Sequence, residues 1–230
     1  MILAKLGAII TLAYLIGSIP FGVIIGKWLA GIDPRNYGSG KTGGTNVMRI
    51  LGAKVGVMVI SLDVAKAAIA VGIATTVFGT TVAPVGSFYI HRQVAGLAAA
   101  LAVICGHNWP VFLKFRGGRG VATFFGALLP IAPAAAIFGA EVLAVVAVST
   151  RYMSAGSIAG ALAAWAILVP LTIFSALPPI FLVVVLLCSA LVVYQHRDNI
   201  ARLRAGIERR LGEKADRSRD KARRLAPDNA

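Results

Sequence analysis

The sequence predicts an all-α polytopic membrane protein with seven transmembrane helices, some short or broken at proline, the amino terminus outside and the carboxyl terminus cytoplasmic. Three observations lead there. The chain is 58% hydrophobic and only 14% charged, and its long uncharged segments exceed what a soluble core can hide. The net charge of +14 is crowded into two short loops and the stretch after Tyr194, as at the cytoplasmic ends of membrane spans. Proline and glycine interrupt the apolar runs at places that set how many times the chain crosses.

Residues 2–28 form the first span, long enough at roughly 1.5 Å per residue to cross the hydrocarbon. Gly17, Ser18 and Pro20 soften it, either as a packed kink or as backbone exposed near a site. No small-residue cleavage site follows, so this run is expected to remain as a span and not to be removed as a signal peptide. Residues 55–78 are the next span. Asp63 and Lys66 share one face of it, where they neutralise each other or meet a polar ligand. Residues 79–92 carry little charge and are expected outside, and residues 94–105 with their flanks form the third span.

A single span over residues 121–148 would make six in all and leave the basic tail opposite the basic loops, against the positive-inside rule. Breaking it at Pro130 and Pro133 gives two helices that go in and return, the first of them short. Residues 158–177 and 179–194 then complete seven, and Arg151, Tyr152, Ser154 and Ser157 fall on the cytoplasmic face. The membrane domain is thus residues 1–198. Over residues 199–212 an interfacial amphipathic helix is expected, with His196, Asn199 and Arg202 on one face and an apolar stripe of Ile200, Leu203, Ile207 and Leu211 on the other. Residues 213–230 form a basic tail, poor in apolar side chains and expected to be disordered.

Two loops on this face carry concentrated polar chemistry. GHNWPVFLKFRGGRGVAT, residues 106–123, sets Lys114, Arg116 and Arg119 among Gly117, Gly118 and Gly120. Glycine leaves the backbone bare enough for its N–H groups to close on an anion, and a helix from Val121 would add the positive end of its dipole. A loop that merely orients the protein needs charge, but neither three glycines nor His107, Asn108 and Pro110 at the same mouth. GSGKTGGTNVMRILG, residues 38–52, is the second such loop, with Ser39, Lys41, Thr42, Thr45, Asn46 and Arg49. Its GSGKT is no nucleotide P-loop, because Arg35 stands where that pattern needs glycine and no buried strand precedes it.

Other chemistries lack their residues. The sequence has no carboxylate cluster for Mg²⁺, no His/Cys set for zinc and no serine in a nucleophile elbow. Cys105 and Cys188 lie in apolar runs. The fifth residue after His91, His107 and His196 is Gly96, Phe112 and Ala201, so the His-x4-Asp pair of soluble-headed glycerolipid acyltransferases is absent. No soluble domain presents the positive charge to nucleic acid, which leaves membrane lipids and anionic substrates as partners.

SGKTGGTNVMRILG, GHNWPVFLKFRGGRGVAT and NIARLRAGIE, in this order between these spans, resemble the three signature motifs of the bacterial acyl-phosphate-dependent glycerol-3-phosphate acyltransferases, the PlsY family. The likeness runs from GSIPFG at residue 17 through Glu208. The chain departs from the family pattern at Lys41, where asparagine is usual, at Gly44, usually alanine, and at Arg119, usually lysine.

The resemblance implies transfer of a fatty acyl group from acyl phosphate to the sn-1 hydroxyl of glycerol 3-phosphate, giving lysophosphatidic acid and inorganic phosphate. It places the protein in the bacterial cytoplasmic membrane with its active site facing the cytoplasm, with no cofactor and no obligate protein partner. It assigns His196, Asn199, Asn46 and Ser39 to catalysis. To substrate binding it assigns Thr45, Arg49, His107, Lys114, Arg116, Gly117, Gly118, Arg119, Gly120, Ser154, Ser157, Arg202 and Glu208, and it assigns no metal ligand. The proton acceptor is His196, His107 or, preferred, a phosphate oxygen of the substrate. The alternative is a membrane transporter or binding protein for an organic phosphate. That reading needs substrate chemistry near the midplane, where the sequence offers only Asp63, Lys66 and Glu141.

Overall fold

The computed structural model of the chain describes residues 2–79, 83–85, 88–90, 92–174 and 177–215. Helices build nearly all of it: α1 (Ile2–Gly17), α2 (Phe21–Ala30), α3 (Gly44–Leu51), α4 (Ala53–Phe78), α5 (Arg92–Asn108), α6 (Val121–Leu128), α7 (Pro133–Thr150), α8 (Met153–Ala166), α9 (Leu168–Phe174), α10 (Ile180–Gln195) and α11 (Arg197–Arg204). One short antiparallel ladder, β1 (Ala83–Val85) on β2 (Phe88–Ile90), departs from the all-α expectation.

Five stretches of the described residues are long and apolar enough to cross a membrane: Ile2–Ala30, Ala53–Phe78, Arg92–Leu113, Pro133–Thr150 and Met153–Phe174. A sixth is made by α10 and α11 if their 56° bend is counted as one broken span. The proline-broken pair also forms as the sequence predicts, with Pro133 in the first turn of α7. Its first member, α6, has 8 residues, about 12 Å at 1.5 Å per residue, well short of a hydrocarbon core of ~30 Å.

Composition explains the packing. Trp28, Ile69, Val145, Val148 and Phe174 point outward, well exposed, a surface suited to lipid and not to water. The inner seams use small residues so that backbones meet. Gly17 of α1 lies on the Val103 backbone of α5 and Gly106 of α5 on the Tyr14 backbone of α1, while Gly139 of α7 faces the Gly160 backbone of α8. Between α8 and α10, Trp165 Nε1 donates to the Leu182 carbonyl at 3.0 Å and Ser189 Oγ to the Ala161 carbonyl at 2.9 Å. Around these seams Phe78, Phe124, Phe181, Leu97 and Leu168 fill one core shared by α4, α5, α6, α8, α9 and α10.

The GSIP step is a true break between α1 and α2. Pro20 has no N–H to continue the helix, and the Ile19 carbonyl at the break accepts from Lys66 Nζ at 2.8 Å and from the Phe21 N–H at 3.2 Å. A second difference concerns the carboxyl end. The amphipathic helix expected over residues 199–212 stops at Arg204, so Ile207 and Leu211 do not continue the stripe of Ile200 and Leu203. Gly206 turns the chain at φ 70°, and the following residues run back as a strap whose Leu211 N–H bonds the Arg151 carbonyl and whose Ala215 N–H bonds the Arg49 carbonyl. Of the tail expected to be disordered, residues 216–230 lie outside the described residues.

Candidate active site

A cavity of about 330 Å³ opens where the three sequence motifs meet. Ser39, Lys41, Thr45, Asn46 and Arg49 line it from the first, His107, Arg119 and Gly120 from the second, and His196, Asn199 and Glu208 from the third, with Ser154 and Ser157 from the start of α8. The other wall is apolar: Ile60 and Val64 of α4, Val121, Ala122 and Phe125 of α6, Ala140 and Leu143 of α7, and Met153. Arg119 and Gly120 precede α6 and Met153 follows α7, so that pair of helices leaves the cavity and returns to it.

Helix starts converge on the polar wall. α3 begins after Gly43, α6 after Gly120 and α8 after Tyr152, and none of the three has a side-chain cap among the described residues. Their first-turn N–H groups therefore lack helical acceptors, and their dipoles present positive charge. Cations add to it. Burial lowers the pKa of Arg49, and Arg209 lowers it further. Burial and then Arg202 bring Arg119 down to about 10, still a cation at neutral pH. Burial and then Arg119 lower Lys41. Side chains whose charge is this poorly accommodated favour an anion between them. Among the described residues, Arg119 Nε and Ser39 Oγ are buried without a hydrogen-bond partner.

The glycines of the second motif serve packing more than the bare-backbone cradle expected of them. A Cβ at Gly118 would strike the His107 ring and one at Gly117 the His107 carbonyl, and the Gly118 N–H is already given to that carbonyl at 3.0 Å. Gly120 needs its φ of 79° to start α6. His107 is held in turn by Lys66, whose Nζ lies 3.1 Å from Nδ1 and 2.8 Å from Asp63 Oδ1. The same Nδ1 lies 3.5 Å from Asp63 Oδ1, so both members of the pair face one ring nitrogen. Asp63 and Lys66 thus pair with each other, and their pair also fixes the second motif.

Asn46 is committed to its own loop. Its Nδ2 donates to the carbonyls of Pro34, Tyr37 and Lys41, and its Oδ1 accepts the Ser39 N–H at 2.9 Å. Glu208 performs the corresponding task for the third motif. It accepts from Ser154 Oγ at 3.0 Å, Asn199 Nδ2 at 2.6 Å and Arg202 Nε at 2.8 Å, tying α8 to α11. His196 Nδ1 lies 2.7 Å from the Val192 carbonyl, which can only accept, so Nδ1 carries the proton and Nε2 keeps its lone pair. Burial, then Arg119, lowers its pKa to about 4, leaving it neutral at neutral pH.

Among the sequence-predicted residues, Lys114, Arg116, Gly117, Gly118 and Arg202 do not line this cavity; Lys114 and Arg116 are exposed. Arg116 and Gly117 line a second cavity instead. Lys41, Gly43, Gly44 and Asp63 line the main cavity without having been assigned to the site. For Gly43 and Gly44 the available signal was a glycine pair before an amphipathic run, which marks a helix start.

The family profile described as glycerol-3-phosphate acyltransferase matches residues 7–206. Glycerol-3-phosphate acyltransferase 3 of Dehalococcoides mccartyi (strain CBDB1) is 48% identical over 215 residues, 94% of this chain and 100% of the relative. The glycerol-3-phosphate acyltransferase of Thermoanaerobacter sp. (strain X514) is 43% identical over 213 residues, 93% of this chain and 98% of the relative. The crystal structure of PlsY, an integral membrane glycerol 3-phosphate acyltransferase, in its glycerol 3-phosphate form is similar with a TM-score of 0.78 at 37% identity, covering 90% of this chain and 96% of that one. Its lysophosphatidic acid form gives 0.76 at 36% identity, covering 91% and 96%. Fold and site together define an integral membrane enzyme of the acyltransferase class. Within that class the chain belongs to the glycerol-3-phosphate acyltransferase family.

Proposed function

We propose that the chain transfers a fatty acyl group from acyl phosphate to the sn-1 hydroxyl of glycerol 3-phosphate, giving lysophosphatidic acid and inorganic phosphate. One observation carries this reading: a single cavity joins uncapped helix starts and cations on one wall to an apolar wall on the other. An acyl phosphate needs both walls at once.

The apolar wall begins at Val121, directly after Arg119 and Gly120. Arg119 and the start of α6 therefore take the donor phosphate, with the acyl chain along Val121, Phe125, Val64 and Leu143. Ser39 ahead of α3, Thr45 in its first turn and Arg49 in its last take the phosphate of the acceptor, and Ser154, Ser157 and Asn199 hold its glycerol. His196 Nε2, with its lone pair available, orients the sn-1 hydroxyl. The hydroxyl oxygen bonds to the acyl carbon, the developing oxyanion is stabilised by the surrounding donors, and the bond from that carbon to the phosphate oxygen breaks. The hydroxyl proton leaves on the phosphate. A mixed anhydride is already activated, so no nucleotide, coenzyme A or metal enters this step. Asn46 and Glu208 position these groups and do not touch the reacting atoms.

The return of α6 and α7 to the cavity supports seven membrane segments with the amino terminus outside. The cavity, Arg151 and the basic strap then share the cytoplasmic face of a bacterial inner membrane. Purified protein in lipid is given glycerol 3-phosphate with palmitoyl phosphate or with palmitoyl-coenzyme A. Lysophosphatidic acid from the acyl phosphate alone is expected, and product only from the thioester would refute the donor assignment.

A further inference from the structure

A second cavity of about 290 Å³ lies beside the first, and Lys41 lines both. Arg116, Arg197, Asn108 and Trp109 also line it, and among the described residues no carboxylate does. Three observations point to a ligand. The cations come from three separate segments, the loop before α3, the second motif and the start of α11. Asn108 is only 2% exposed, yet neither Oδ1 nor Nδ2 of its amide has a hydrogen-bond partner among the described residues, whereas buried amides are normally paired. The adjoining loop holds two non-glycine residues in the left-handed region, Lys114 at φ 53° and Phe115 at φ 61°, and such conformations concentrate at ligand clamps. Arg197 is steadied by the Tyr194 ring, 4.7 Å away, and its ion pair with Asp198, at 3.9 Å, is a solvent-exposed one that an incoming anion can outcompete. Burial of Lys41 beside Arg119 adds to the demand for an anion.

We propose that this cavity is a second anion site, separate from the catalytic one, that binds a phosphate group through Lys41, Arg116 and Arg197 with the Asn108 amide as a neutral donor. Two guanidinium forks and an ammonium around one space offer more charge-assisted donors than a single carboxylate can accept, and a phosphate has the oxygens to take them. The phosphate comes from solution or from the headgroup of an anionic lipid, since Trp109 and Tyr194 line the cavity with the exposed Phe115, and Trp and Tyr are the side chains favoured at a membrane interface. Through the shared Lys41, occupancy here weakens the pull of the catalytic cavity on its own anions.

The test uses the full chain in maltoside detergent with Trp28→Phe and Trp165→Phe, which leaves Trp109 as its only tryptophan. Inorganic phosphate is titrated at constant ionic strength, following Trp109 fluorescence and ³¹P line width. A saturable response is expected. Arg116→Gln and Arg197→Gln should each raise the half-saturating concentration at least about fivefold, and Arg49→Gln, which lines only the catalytic cavity, less than about twofold. If one of the two arginine variants fails to fold by circular dichroism, the other gives the same reading. The titration is repeated in phosphatidylglycerol nanodiscs. A response lost there but present in detergent identifies a lipid headgroup as the occupant, and one retained in both identifies free phosphate. No saturable response by either readout, or one that Arg49→Gln abolishes and both arginine variants leave unchanged, overturns the proposal.

Discussion

Glu208→Gln exchanges one carboxylate oxygen for an amide and leaves the volume almost unchanged. Three donors converge on that carboxylate, from Ser154 at 3.0 Å, Asn199 at 2.6 Å and Arg202 at 2.8 Å. A hydrogen bond to a charged acceptor contributes about 1.5–3 kcal/mol against about 1 kcal/mol for a neutral one, so the Ser154 and Asn199 bonds each lose about 1 kcal/mol. Arg202 is 24% exposed, and after discounting for solvent its pair adds about another 1 kcal/mol. The sum of about 3 kcal/mol corresponds to two powers of ten in kcat/KM. Initial rates of lysophosphatidic acid formation at saturating acyl phosphate should show most of this as a raised KM for glycerol 3-phosphate, because Glu208 holds the groups that hold the acceptor. A double-mutant cycle with Ser154→Ala should give a coupling of about 1–2 kcal/mol. If Glu208→Gln stays within about threefold of the parent in kcat/KM, the reasoning from hub to site is wrong.

Three further outcomes are expected. The pKa of His196 is depressed from 6.5 to about 4, so between those values the unfolded chain binds a proton that the folded chain refuses. Stability should therefore rise with pH through that window and level off above it, and the difference between parent and His196→Gln melting curves at pH 5 and pH 7 measures the effect. Gly118→Ala drives a methyl onto the His107 ring, and overpacking of about 1–3 kcal/mol should lower the melting temperature and displace His107 from Lys66; parent-like melting and rate would contradict that. Arg119→Lys keeps the buried cation and should retain activity within about tenfold, while Arg119→Ala should lose at least about a hundredfold; equal losses would show that fork geometry, not charge, is what counts.

Apolar length and proline position made most of the fold legible. The run of residues 55–78 and the break at Pro130 and Pro133 appear as α4 and as the α6–α7 pair because hydropathy and the missing proline N–H act locally. The end of the third motif was not legible. An apolar stripe through Leu211 argued for a longer helix, but Glu208 has three tertiary partners that a helix through residue 212 would not reach, and those win over local periodicity. The charged residues divided in the same way. Arg49, in the last turn of α3, and Arg119, just before α6, both line the cavity, whereas Lys114, itself in the left-handed region, and Arg116 are exposed, and Arg116 lines the second cavity. A string of basic residues carries no sign of which way each one faces. Asn46 reads from its motif position as a catalytic contact and the glycines at 117 and 118 as substrate-binding ones, yet Asn46 bonds backbone near its own loop and the two glycines pack on His107.

The most direct test measures inorganic phosphate and lysophosphatidic acid together in one reaction of palmitoyl phosphate with glycerol 3-phosphate, for the parent chain and for Arg49→Ala. Equal amounts of the two products, each requiring both substrates and both lost in the variant, are the expected result. Phosphate released without glycerol 3-phosphate, or an Arg49→Ala variant as fast as the parent, would contradict a single cavity in which the two phosphates are held side by side.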